Sequence, residues 1–149
     1  MHKVIELVSK LTAFREKWES KRPRWGRNDC VLMAHDWVKT LQPKADLPNI
    51  PKYKCEETAV RALKSLGADN LADLLDSVSC LERVSVGEAW LGDIVEVSSD
   101  NSLIKTALTI QIDADLFLVF TKDGFQKVGF GVIYSNDFAF TGNAWRVKC

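Results

Sequence analysis

The chain has 149 residues, with 20 Lys and Arg against 20 Asp and Glu, so its formal charge is zero. Its make-up, 46% hydrophobic and 27% charged, excludes wholesale disorder, and its length predicts one core and one domain over 1–149. Zero net charge removes the general electrostatic case for nucleic-acid or membrane binding, no apolar run reaches the roughly 18 residues of a membrane span, and the start MHKVIELVSK lacks the apolar core of a signal peptide.

In chain order, residues 1–22 predict a helix. Val4, Leu7, Val8, Leu11, Phe14 and Trp18 keep the 3.6-residue period and form one stripe to bury; Pro23 ends the helix at or before Arg22. Residues 23–80 continue helical. A second helix starts after Asn28 or Asp29 as N-cap and presents Val31, Ala34, Trp37, Val38 and Leu41. Pro43, Pro48 and Pro51 mark a connector without regular structure. A third helix is expected from about Glu56 to Leu66, with Ala59, Val60, Leu63 and Leu66 inward and Gly67 as its stop. Asp69 or Asn70 caps a short fourth helix carrying Leu71, Leu74, Leu75 and Val78.

From Leu81 the period becomes two. The stretches DIVEVSS, LIKTALTIQI, DLFLVFT, GFQKV, GVIYS and AWRVK read as strands, with Asp123-Gly124 as a hairpin turn. Helices followed by strands predict an α+β domain, with N-terminal helices packed on a C-terminal antiparallel sheet over 81–149, not alternating βαβ units.

The zero charge conceals an asymmetry. Residues 1–30 hold 8 Lys and Arg against 4 Asp and Glu, so the remainder carries the compensating negative charge. The excess lies in Arg15–Arg27, which reads either as a solvated helix end with its connector or as a contact surface for an acidic partner. The four cysteines (Cys30, Cys55, Cys80 and Cys149) are scattered and form no CxxC pair, so neither a zinc site nor a disulfide framework is expected. No glycine-rich phosphate loop is present, and no cofactor is implied. Asp113 and Asp115 read as turn formers, and Glu56-Glu57 as acids in a first helical turn.

One segment concentrates chemical possibility: Trp25-Gly26-Arg27-Asn28-Asp29-Cys30. A cysteine in the first turn of a helix sits at the positive end of the macrodipole, where free amides favour the thiolate. Arg24 and Arg27 would add to that effect and Asp29 would oppose it. The same cysteine also reads as a small buried hydrophobe. Trp25, beside Gly26 and Arg27, is a candidate exposed binding residue, and Arg27 is its candidate partner.

The run WGRNDCVLMAHDWV, then Tyr53, then TAVRALKSLGADNLADLL, then GDIVEV and the terminal AWRV, resembles a small phage- and prophage-encoded family. That family is a branch of the NlpC-type cysteine peptidases, whose fold is papain-like. The resemblance spans most of residues 22–149. It implies Cys30 as nucleophile at the start of the central helix, and matches Gly92-Asp93 to the pair that opens the first core strand. It also implies a general-base His at the start of the following strand, where this chain has about Ala107, and a polar partner near Phe120 or Thr121. No His follows His35. His35 lies five residues past Cys30, about 140° around the helix, so the two side chains diverge.

Loss of a positioned base removes a factor of roughly 10²–10⁴. The resemblance with an empty base position therefore implies a phage tail or virion protein built on a cysteine-peptidase fold, a structural or adaptor pseudoenzyme made in the host cytoplasm. Its partners would be other virion proteins or peptidoglycan, with an oligomer possible. The alternative is an active peptidase or amidase that opens peptidoglycan during phage entry, with Cys30 attacking.

Overall fold

In the computed structural model, residues 2–22, 24–99, 103–114, 116–122, 128–134 and 139–148 are described; for residue 2 and for 120–122 and 128–134 the description is of the backbone. Four helices precede the sheet: α1 (His2–Glu19), α2 (Cys30–Leu41), α3 (Glu56–Ser65) and α4 (Leu71–Asp76). Six strands follow: β1 (Leu81–Ser85), β2 (Ile94–Ser98), β3 (Thr106–Gln111), β4 (Leu116–Lys122), β5 (Val128–Tyr134) and β6 (Phe140–Val147). The architecture is α+β, with helices at the N-terminus and an antiparallel sheet. Spatial order is β1-β6-β2-β3-β4-β5, so β2 to β5 form a meander and β6 returns to lie between β1 and β2.

The caps explain where the helices begin. The Asp29 carboxylate accepts from the Leu32 amide at 2.9 Å, and the Asn70 side chain accepts from the Asp73 amide at 2.8 Å. Each thereby satisfies one of the amides that a helix start leaves without a partner. Gly67, in the left-handed region at φ +78°, follows the end of α3 as expected.

The main core lies between the helices and one sheet face. Met33, Trp37, Leu71, Ile94, Leu108, Ile110, Leu118 and Trp145 are its most deeply buried members. Trp37 anchors it: Phe14 packs edge-on at 5.0 Å, and the Trp37 indole N–H donates to the Gly92 carbonyl at 2.7 Å. Gly92 has φ +84°, and a Cβ there would stand 3.1 Å from Leu7 and 3.2 Å from Trp37. The opposite sheet face carries a smaller cluster of Val95, Phe117, Val119 and Ala144. Both faces are covered, so β2 is buried from Ile94 to Val97 and does not alternate; the buried Glu96 accepts from Thr106, Thr141 and Asn143.

Three expectations need correction. The α1 stripe is only partly buried: Leu11, Phe14 and Trp18 join the core and Leu7 packs against it beside Trp37, but Val4 and Val8 are exposed. In α3 the inward set is Ala59, Ala62 and Leu63, while Val60 and Leu66 are half-buried at its margin. GFQKV and GVIYS were expected as two strands; of GFQKV only Val128 is described, and it stands in the same strand as GVIYS, since the β5 ladder to β4 is continuous from Leu116↔Tyr134 to Lys122↔Val128. The expected Asp123-Gly124 turn lies outside the described residues.

Candidate functional site around Cys30, Asp29 and Tyr53

The segment before α2 is a locked turn. The Arg24 amide donates to the Asn28 carbonyl at 2.8 Å and the Asn28 amide donates back at 2.9 Å, closing a loop over Trp25, Gly26 and Arg27. Gly26 has φ +78°, and a Cβ there would lie 1.9 Å from the Tyr53 carbonyl oxygen. Only glycine allows the two backbones to pass so closely.

Asp29 ties this turn to the proline connector. Its Oδ2 accepts from the Gly26 amide at 2.9 Å and from the Tyr53 hydroxyl at 2.5 Å, while its Oδ1 caps α2. The carboxylate is buried, as is Tyr53, and three donors compensate its charge. Burial and the adjacent carboxylate push the Tyr53 hydroxyl well above its ordinary pKa, so it remains a donor.

Cys30 follows directly, in the first turn of α2, and its thiol is met by the backbone amide of Leu108 on β3. The strand ladder makes this approach possible. Among the described residues β4 pairs with β3 at Ile110↔Leu118 and Gln111↔Phe117, and Leu108 lies outside that paired stretch. Cys30 is half-buried against the core, and burial pushes its pKa up to about 12 despite the helix-start amides. Of the two readings of Cys30, thiolate and small buried hydrophobe, this environment favours the second: the partial charge at a helix start does not offset removal of an anion from water. Arg24 and Arg27 do not act on the thiol either. They turn outward.

The side chains expected to help Cys30 are placed apart from it. His35 lines an apolar cleft with Leu47, Pro48, Ile50 and Leu74, and burial lowers its pKa. Ala107, at the position where the resemblance calls for a base, precedes Leu108 on β3 and offers none. The side chains of Phe120 and Thr121 lie outside the described set. Asp113 accepts from the Ala114 amide in the β3–β4 turn, as a turn former does, and Asp115 lies outside the described residues. Glu56 and Glu57 are in the first turn of α3. Among the described residues no three His, Cys, Asp or Glu side chains gather to hold a metal ion, and no helix is long and apolar enough to cross a membrane.

Trp25 and Arg27, the two candidate binding residues, line one cavity of about 380 Å³. Arg24, Gly26, Lys52, Tyr53 and Lys54 complete its wall. Lys52 and Lys54 were missed from the sequence because they reach the turn through space; the alternation Lys52-Tyr53-Lys54 was the available signal. Three other cations of the basic Arg15–Arg27 stretch are occupied locally. Arg15 pairs with Glu19, Lys17 with Asp36, and Lys21 lies over the Trp18 ring at 5.1 Å.

Two other motifs meet where β2 pairs with β6. Arg146 grips the buried Asp93 through Nε and a terminal nitrogen at 3.1 and 2.9 Å, and Asp93 also accepts from the Trp90 amide. Trp145 donates to Asp76 at 2.9 Å, and Arg83 grips Asp76 from the other side. The Gly92-Asp93 pair and the terminal Trp145-Arg146 are therefore one structural unit joining β2 to β6.

The family model described as "Domain of unknown function (DUF6950)" matches residues 3–140. The chain belongs to that family. The match takes in all four helices, the Asp29–Cys30–Tyr53 cluster and the cavity beside it, and it stops at the first residue of β6. No curated protein matches the chain.

Proposed function

We propose that this member of the DUF6950 family is a structural or adaptor protein of a phage tail or virion, built on a papain-like, NlpC-type fold that no longer catalyses. The observation that carries the reading is the state of Cys30. It stands at a helix start against an antiparallel strand, as the peptidase resemblance requires of a nucleophile. Yet the thiol faces the Leu108 amide, its pKa is pushed up to about 12, and Asp29 is consumed by three hydrogen bonds. A cysteine nucleophile is activated by a lowered pKa or by an adjacent base, and the described surroundings of Cys30 supply neither. Further support for the fold comes from Gly92-Asp93 opening β2 and from the helix-then-sheet order.

Purified protein incubated with peptidoglycan tests the reading directly. The expected result is no release of new amino groups, with parent and Cys30→Ala indistinguishable. Release that Cys30→Ala abolishes would overturn it in favour of a peptidase or amidase. Sedimentation with virions, followed by mass spectrometry, tests the structural role: the chain should travel with particles, and its absence from them would remove the adaptor assignment.

A further inference from the structure

The geometry points to an anion-binding pocket at the Trp25 turn that takes a small phosphate monoester carrying a flat ring. The inference stands apart from the virion reading, because it uses the cavity wall and not Cys30.

Arg24, Arg27, Lys52 and Lys54 contribute four positive charges to one cavity of about 380 Å³, a volume within the range of small-molecule sites. Among the described residues none of the four is paired with a carboxylate. Arg15, Lys17 and Lys21 of the basic stretch have local partners, and against them the concentration of unpaired cations at the cavity stands out. The nearest carboxylate built into the site, Asp29, is buried behind the wall and held by Gly26, Tyr53 and Leu32.

Two aromatic rings share the cavity. Tyr53 and Trp25 meet edge-on at 6.4 Å, and Trp25 remains about one-third exposed. Because the Tyr53 hydroxyl is committed to Asp29, Tyr53 offers its ring. Guanidinium groups match phosphate oxygens in a bidentate manner, and an exposed indole offers a stacking face to a ring. The Gly26 turn and the Asp29 bonds fix both walls before a ligand arrives, which lowers the ordering cost of binding.

The experiment is a titration of isotope-labelled protein by NMR, with adenosine monophosphate, adenosine and inorganic pyrophosphate as probes. The nucleotide should shift the Gly26 amide and the Trp25 indole N–H saturably, and adenosine should bind at least roughly tenfold more weakly. Arg24→Gln with Arg27→Gln should weaken nucleotide binding by a similar factor, and so should Lys52→Gln with Lys54→Gln on the other wall. Trp25→Ala should weaken the nucleotide more than pyrophosphate. The proposal is overturned if millimolar nucleotide shifts neither reporter, if adenosine binds equally well, or if the two double variants, folded by circular dichroism, bind as the parent does.

Discussion

The hydroxyl of Tyr53 donates to Oδ2 of Asp29, closing a buried contact between a proline-rich connector and the start of a helix 24 residues earlier. That single bond sets the position of three neighbours. It holds the connector against the Gly26 turn, completes the partners of the α2 cap, and keeps Tyr53 in the wall of the basic cavity. Tyr53→Phe should leave a buried carboxylate one donor short and cost about 1–3 kcal/mol. Urea unfolding of the two proteins measures it, and equal midpoints would show that the bond contributes nothing.

Gly26 and Gly67 share a φ of +78° but differ in surroundings. At Gly67 nothing lies within 4 Å of an added Cβ, so Gly67→Ala should cost only the left-handed strain, about 1–2 kcal/mol. At Gly26 the same change drives Cβ against the Tyr53 carbonyl. Gly26→Ala should therefore destabilise clearly more than Gly67→Ala in the same denaturant series.

Cysteine labelling should follow environment. Cys55 is exposed at the start of α3, and hydrogen bonding from Thr58 lowers its pKa. Cys30 is half-buried against the core, with a pKa raised to about 12. Near neutral pH iodoacetamide should modify Cys55 first and leave Cys30 protected, as read by peptide mass spectrometry. The folded pKa of Cys30 lies above its ordinary value of 9.0, so its stabilising contribution is complete below about pH 8 and is lost as pH rises from 9 toward 12. Cys30→Ala should flatten that alkaline loss.

Acid should act through Asp76. Hydrogen bonds from Arg83 and Trp145 hold its carboxyl down at about 2, below the ordinary 3.8. A depressed folded pKa contributes stability above the unfolded value, and that contribution is lost as pH falls from about 4 to 2. Asp76→Asn should unfold with a shallower pH dependence across that window. Because Asp76 and Arg83 are both substantially exposed, salt should reduce the difference.

Local chemistry made a large part of this protein readable from its residues. Helical periodicity and the Asp29, Asn70 and Gly67 signals located α2, α3 and α4, and the change to alternation at Leu81 announced the antiparallel sheet, because caps and periods act within a few residues. The neutral total charge, resolved into a basic N-terminal segment and an acidic remainder, was equally visible. Tertiary structure decided the rest. It left Val4 and Val8 exposed while Leu7, Leu11, Phe14 and Trp18 of the same stripe meet the core. It set Cys30 against the Leu108 amide, where burial outweighs the helix start and the thiol stays protonated. It also brought Lys52 and Lys54 to Arg24 and Arg27 around Trp25, turning scattered cations into one wall. Burial and charge convergence depend on segments distant in the chain, and no local pattern encodes that distance.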